Sequence, residues 1–502
     1  MSHTSKSHKK SFHNPKTPKV ITEYIPKTQN SKPTQQKNSS TTKSEEETKT
    51  SSQPSEASHS TFYILNTESP LITESLQQII ERKTSLKNVL DIIRLFIKEF
   101  NPKGPSNLVV LEEFFDNLDN TEKEAWEKEI FPWIAGLILR TSEIFPEDSQ
   151  IKILQQGSLE KVYLTKPQCA CLLAHMFMCT TSSQNNSKLP ALFNFSVIFA
   201  GDNYDKNIKI EKIKYMDHYF KRTLQNLPNR SLIFQRLVHQ DSIHGKIDLE
   251  GWLQCTQELQ NIIVSPTGTI EGDIGAIEID FANRLLGGAT LKNASAQEQI
   301  QFMTSPELLV GILFCEEMGD KEAILMKGAE IYGKYKGYGH DWRFDGDYED
   351  MREIINEGKL RVLDRDIVAI DAINFNWEKK YRQFSEEAVL RELNKAYVGF
   401  KGEEGDKGIV TGKWGCGIFW GDVQLKLLIQ WIAASRAGRE MRFYSFGEDK
   451  DLKDVKEIVE EYKEKEIGGL VGNMMKACKE IDRAPGKQKP QVFSLLKKTI
   501  KK

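Results

Sequence analysis

Residues 279–289 read Ile279-Asp280-Phe281-Ala282-Asn283-Arg284-Leu285-Leu286-Gly287-Gly288-Ala289, and seven residues further on stands Gln297-Glu298-Gln299. An apolar run that passes into Asp-Phe-Ala-Asn and bends on two glycines has the form of a strand feeding a nucleotide loop. Backbone without side chains lets a diphosphate approach closely there. A Gly-Gly pair by itself is an ordinary turn, so the reading depends on what surrounds it.

Beyond residue 210, short β-rich runs alternate with amphipathic helices. The runs are 275–281, 323–326, 367–373 and 441–446; the helices include 306–318, 386–397 and 422–437. Strands interleaved with helices imply an α/β fold, a mixed sheet flanked by helices on both faces, with ligands at the carboxyl ends of the strands. Thr304-Ser305-Pro306-Glu307 reads as a capped start for the helix after the turn, and Gly319 as its end. Upstream, Leu86, Val89, Leu90, Ile93, Phe96, Ile97 and Phe100 follow helical spacing, and 107–145 and 166–180 continue in the same way. The expected organisation is a disordered tail over 1–60, a helical accessory domain over 61–210, the α/β domain over 211–480 and a basic tail over 481–502.

Charge follows these divisions. The 502-residue chain has a formal charge of −2, yet residues 1–60 carry +5 and residues 481–502 carry +6, which leaves −13 on the body between. That is not the footprint of a sequence-specific duplex reader, so a phosphate ligand must be met by local amides and helix ends. The cysteines at 169, 171, 179, 255, 315, 416 and 478 have no Cys-x-x-Cys spacing and read as buried, reduced thiols of an intracellular protein. No apolar run is long enough for a membrane span, and the N-terminal residues lack the apolar stretch of a signal peptide. Lys6-Ser7-His8-Lys9-Lys10 reads either as a nuclear import signal or as a chance run in a lysine-rich tail, so the expected location is nuclear, cytoplasmic or both. His175, His218, His239, His244 and His340 lack metal-ligand spacing, and Asp345, Asp347, Glu349 and Asp350 read as a solvated acidic loop. No metal is expected. Residues 408–413 imitate a Walker loop but have one spacer residue too few, and Trp414 stands where a magnesium-binding hydroxyl belongs. Residues 415–422, Gly-Cys-Gly-Ile-Phe-Trp-Gly-Asp, form a second glycine-rich loop opening a helix, a place that favours an anion.

The surroundings of the turn are specific as a set. In order they are Gln168-Cys169-Ala170-Cys171-Leu172-Leu173-Ala174, Gly268-Thr269-Ile270-Glu271, the turn and Gln297-Glu298-Gln299, Gly337-Tyr338, Ile367-Val368-Ala369-Ile370-Asp371-Ala372, Arg391-Glu392-Leu393-Asn394-Lys395-Ala396-Tyr397, Trp414-Gly415-Cys416-Gly417 and Phe446-Gly447. Over roughly residues 160–478 the chain resembles the poly(ADP-ribose) glycohydrolases, whose signature is three glycines, a spacer and Gln-Glu-Glu. The resemblance implies a macrodomain-like sheet packed on a helical accessory domain. It also implies hydrolysis of the ribose-ribose O-glycosidic bond without cofactor, in the DNA damage response. The implied partner is poly(ADP-ribose), or ADP-ribose on modified proteins, and the implied state a monomer.

By the same resemblance, Asp280 and Asn283 hold the ribose beside the scissile bond, and Gly287, Gly288 and Ala289 follow the diphosphate. Gln297 and Glu298 match the first letters of the acidic motif, with Glu298 on ribose hydroxyls. Ile270 and Glu271 recognise adenine and Tyr338 covers it. Gly415, Cys416, Gly417, Ile418 and Phe419 form the second phosphate loop, and Phe446 is an aromatic wall.

Three positions depart from the family pattern. Ala289 replaces the third glycine, where a methyl narrows the loop and disfavours positive φ. Lys413 stands where asparagine is expected and is suited to help a diphosphate. Gln299 occupies the place of the catalytic glutamate. Breaking the bond needs a carboxylic acid that protonates the departing 2′-oxygen and then activates water; an amide has the shape but no proton to give. Such an exchange is what is introduced to trap substrate and also what drift leaves, and the further change at Ala289 favours natural divergence. The expected activity is therefore impaired, and the rival readings are an inactive ADP-ribose reader and a structural scaffold.

Overall fold

The computed structural model describes residues 61–500, apart from 64–68, 147–149, 182–185, 192, 202–205, 404, 448 and 484–490. The expected disordered tail over 1–60 lies outside the described residues. The centre of the fold is an eight-stranded mixed sheet. In chain order its strands are β1 (Lys161–Thr165), β2 (Ser231–Val238), β3 (Ile262–Ser265), β4 (Ile277–Ala282) and β5 (Glu322–Lys327); after a hairpin of β6 (Gly333–Lys336) and β7 (Arg343–Asp347) come β8 (Asp366–Asp371), β9 (Ile409–Gly412) and β10 (Met441–Tyr444). The spatial order is β1-β2-β5-β8-β4-β9-β10-β3. From β8 through β4, β9 and β10 to β3 neighbours run parallel; from β1 to β8 they run antiparallel.

Alternation along these strands feeds two cores. Leu232, Phe234, Ile324, Met326, Ile367 and Ala369 join a core with the N-terminal helices, among them α1 (Leu86–Phe100), α2 (Phe131–Leu139), α3 (Lys166–Phe177) and α4 (Lys206–Gln225). The helix after the glycine turn, α5 (Gln297–Thr304), packs on this same side. Ile277, Ile279, Ala323, Leu325, Val368, Ile370, Ile409 and Phe443 point the other way, towards α6 (Glu386–Lys401), α7 (Val423–Arg436), α8 (Ile467–Asp482) and α9 (Val492–Ile500). Strand β5 is buried on both faces along its whole length, as a central strand between two helical layers must be.

Several expectations need correction. The boundary at residue 210 falls inside α4, and β1 places part of the segment expected as helical in the sheet. The helix expected over 306–318 is a 3-10 helix, Pro306–Leu313, with every residue buried. It has no polar face to turn to water, and Gly311 sits where a methyl would meet Leu286 and Phe234 at 2.9 Å. The expected cap at Thr304-Ser305 does not form, because the Ser305 hydroxyl accepts from Arg365 instead. The strand expected to reach 446 stops at Tyr444, since Phe446 has a left-handed φ of 52°. Within the tail expected over 481–502, α9 buries Val492, Phe493 and Leu496, the Phe493 amide donates to Gln424, and Lys497 pairs with Asp454 and Glu457. Five cysteines are buried as expected, whereas Cys255 and Cys416 are partly exposed.

Candidate functional site

The site begins where the sheet splits. Strand β4 pairs with β8 over its full length, out to Asp371 beside Ala282, but with β9 only over Ile277 and Glu278. Beyond that point β4 and β9 diverge and leave a crevice at their carboxyl ends, the place where parallel sheets take ligands. The open edge of β4 is satisfied by Gln297 at the start of α5. Its carbonyl accepts from the Phe281 amide at 2.8 Å, and its Nε2 donates to the Ile279 carbonyl at 3.3 Å. The side chain expected to touch substrate is thus used to finish a strand.

After β4 the chain turns on Gly287 and Gly288, whose φ angles are 78° and 48°. A methyl on Gly287 would meet Ile312 at 2.7 Å, and one on Gly288 would meet Glu298 Oε2 at 2.6 Å, so conformation and space both require glycine. Ala289 is not among the left-handed residues, and its methyl imposes no backbone strain, contrary to expectation.

Glu298, nearly buried, is held by this turn. Its carboxylate accepts from the Gly287 amide at 2.8 Å, from the Asn283 amide at 3.2 Å and from Gln299 Nε2 at 3.0 Å. Burial pushes its pKa well above the ordinary carboxylate range, the charge of Asp280 adds to the shift, and the amide donors oppose it. Asp280 is fully buried by the alternation of β4. Neither of its carboxyl oxygens has a hydrogen-bond partner among the described residues, and burial raises its pKa strongly. Of the two acids, Glu298 has the donors that stabilise a charge; Asp280 has none and is the one that keeps its proton.

Gln299 lies on the first turn of α5, nearly buried, with both ends of its amide engaged: Oε1 accepts from Ala296 N–H at 3.1 Å while Nε2 serves Glu298.

The other wall is built by the second glycine loop. Trp414 is buried, donates to the Ile370 carbonyl at 2.9 Å and carries the Lys426 ammonium 3.9 Å from its ring centre. Gly415 has a φ of 72°, and a methyl there would meet Ala372 at 2.6 Å. Asp422 caps α7 by accepting from the Leu425 amide at 3.0 Å. Lys413, expected to serve a diphosphate, is paired with Asp449 at 2.9 Å.

A cavity of about 1140 Å³ lies between the two loops. It is lined by Ile270, Glu271, Asn283, Gly288, Ala289, Gln297, Glu298, Gln299, Tyr338, Phe446 and the stretch from Gly415 to Phe419. Asp280 and Gly287 do not reach it; they sit behind Glu298 and behind the turn. At one end the Glu271 carboxylate accepts from the Tyr335 hydroxyl at 2.8 Å, while Tyr338 and Phe446 stand largely exposed over the mouth. Tyr338 lies between Gly337 and Gly339, both left-handed.

Sequence reading missed Tyr335, Asn293 and Arg365, which line the cavity, and dismissed His340, which also does. Arg365 could not have been found from local pattern. It is held by both carboxylate oxygens of Glu278 at 2.8 Å, a partner 87 residues away. Among the described residues, no group of three or more His, Cys, Asp or Glu could hold a metal, and no helix is long and apolar enough to cross a membrane.

Residues 118–236 match the helical domain of poly(ADP-ribose) glycohydrolase, and residues 249–453 match that family's domain of macro domain fold. Poly(ADP-ribose) glycohydrolase 1 of Caenorhabditis elegans is 33% identical over 74% of this chain and 46% of that protein. Poly(ADP-ribose) glycohydrolase 1 of Arabidopsis thaliana is 30% identical over 66% of this chain and 74% of that protein. A crystal structure of poly(ADP-ribose) glycohydrolase from Deinococcus radiodurans in complex with ADP-ribose aligns over 45% of this chain and 93% of its own, at 13% identity and a TM-score of 0.26, a likeness too slight to argue from. With a macro-domain sheet, a helical domain and relatives at this level, the chain belongs to the poly(ADP-ribose) glycohydrolase family.

Proposed function

We propose that the chain binds the terminal ADP-ribose of poly(ADP-ribose), with cleavage of the ribose-ribose bond held far below the level of an enzyme that carries glutamate at position 299. The observation that carries this reading is the state of Gln299, whose amide faces the cavity beside Glu298 with no proton to give.

In this reading adenine lies on Ile270 and Glu271 beneath Tyr338 and Phe446. The diphosphate passes between the turn at Gly288 and the loop from Gly415 to Phe419. The ribose at the scissile bond meets Asn283 and Glu298. Cleavage requires a proton on the departing 2′-oxygen and a water added to the anomeric carbon, steps that one carboxyl group performs in succession. Glu298 is a poor replacement, because its carboxylate is engaged by the Gly287 and Asn283 amides. Asp280, held behind it, serves as a buried positioning acid.

An inactive ADP-ribose reader is the second reading, favoured by the same amide. A pure scaffold is disfavoured, since it has no use for a cavity with two glycine turns and exposed aromatics at its mouth. Calorimetry with ADP-ribose tests binding, and absence of heat at millimolar ligand overturns it. Turnover of the polymer by this chain beside Gln299→Glu separates the slow enzyme from the reader.

A further inference from the structure

Lys212 lies on the inner face of α4, completely shielded from solvent. Its Nζ donates to two main-chain carbonyls, Thr290 at 2.7 Å and Lys292 at 2.6 Å, and no carboxylate pairs with it among the described residues. A lysine is rarely buried to this degree, and burying one against neutral acceptors alone is costly.

What the two carbonyls belong to gives the arrangement its meaning. Thr290 is the last residue of the glycine turn. Its hydroxyl donates to the Gly287 carbonyl at 2.5 Å, and its amide donates to the same oxygen at 2.8 Å. The Gly287 amide in turn donates to Glu298 Oε1 at 2.8 Å. An unbroken series of hydrogen bonds therefore runs from the helical layer, through Lys212, Thr290 and Gly287, to the carboxylate at the cavity wall. The links are mechanical ones, because the carbonyl and the N–H of Thr290, and those of Gly287, belong to different peptide groups. Gly288 and Ala289, the two residues of the turn that face the cavity, lie within this span. Burial pulls the Lys212 pKa well down, with Lys209 one turn away adding to the effect. Two carbonyl acceptors suit the amine in either protonation state, so its role is one of placement.

We propose that Lys212 is a positioning residue of the glycine turn: it fixes the far end of residues 287–292 from the helical layer, and so sets the geometry that the turn presents to Glu298 and to a diphosphate in the cavity. The proposal deepens the ADP-ribose reading and rests on it for the identity of the ligand. The turn's own hydrogen bonds and its contact with Glu298 hold its near end, and Lys212 adds a tether from the helical layer at its far end.

The test uses the full chain with Lys212→Met, and with Thr290→Val as an independent break one link further on. Affinities for ADP-ribose and for adenosine, which lacks the diphosphate, are measured together with amide hydrogen exchange over residues 287–292 without ligand. Lys212→Met should weaken ADP-ribose about ten-fold, the order of one hydrogen bond, while adenosine changes less than about two-fold. Exchange at Thr290 should accelerate. Thr290→Val should act in the same direction by a smaller factor, and it decides the matter if Lys212→Met does not fold. Equal weakening of both ligands, or of neither, overturns the proposal. If the parent chain binds neither ligand, the ADP-ribose reading fails separately; the positioning claim is then upheld by faster exchange in the variants and overturned by unchanged exchange.

Discussion

The amide nitrogen of Gln299 donates to the carboxylate of Glu298 across 3.0 Å, and the same carboxylate accepts from the amide of Gly287. An amide can donate to that neighbour, whereas a carboxyl group in its place would be repelled by it once ionised and would therefore hold its proton more tightly. On the proposed reading, position 299 suits a proton donor, and the amide present there is an isostere that has no proton to transfer.

Asp280 is a buried acid without donors, and this gives stability a pH dependence. Its folded pKa is raised, so the native state binds more protons than the unfolded chain. The stabilisation is fully present below the unfolded value, about 3.9, and is lost as pH rises towards the folded value. Asp280→Asn should raise the melting temperature at pH 8 more than at pH 5. Equal shifts at the two pH values would show that Asp280 is charged in the native state.

The turn tolerates its alanine. Ala289→Gly should leave ADP-ribose affinity within about two-fold, since position 289 is not left-handed. Gly288→Ala forces a methyl to within 2.6 Å of the Glu298 carboxylate at a φ of 48°, and should destabilise the fold by about 1–3 kcal/mol and weaken binding. Urea melts and calorimetry on the two variants check both statements.

Gln297 finishes strand β4 with both ends of its amide. Gln297→Met keeps the volume and strands the Phe281 amide, at a cost of about 1–3 kcal/mol in denaturant unfolding. A stability unchanged within error would mean that Gln297 is free to serve ligand.

Tyr338 is 64% exposed and contributes little to the core. Tyr338→Ala should leave the melting temperature unchanged and weaken ADP-ribose by about 1–3 kcal/mol, the usual worth of stacking a base on an aromatic ring.

Features written in consecutive residues were legible in the sequence. The strands at Ile277–Ala282, Asp366–Asp371 and Met441–Tyr444, the two glycine loops and the cavity-lining Asn283, Gly288, Ala289 and Gln297 to Gln299 belong to short motifs whose spacing survives folding. Where the outcome depends on strand alternation or distant partners, reading failed. Asp280 belongs to the motif, yet alternation along β4 turns it behind Glu298. Gln297 resembles a ligand contact until β9 is seen to part from β4 after Glu278, leaving amides that it must satisfy. The apolar trio Val492, Phe493 and Leu496 was visible, but the lysines around it suggested a solvated tail, and only the groove beside α7 and α8 gives the trio a place to pack. Lys212 offers no local signal at all, because its two acceptors lie 78 and 80 residues away.

Whether Gln299 occupies the position of a catalytic acid is decided by turnover of poly(ADP-ribose) by this chain beside Gln299→Glu, with ADP-ribose affinity followed in parallel. Turnover should rise by at least about a hundred-fold, the lower range of a positioned acid, while affinity stays similar or falls slightly because a carboxylate now faces an anionic polymer. Equal turnover by the two chains would contradict that placement.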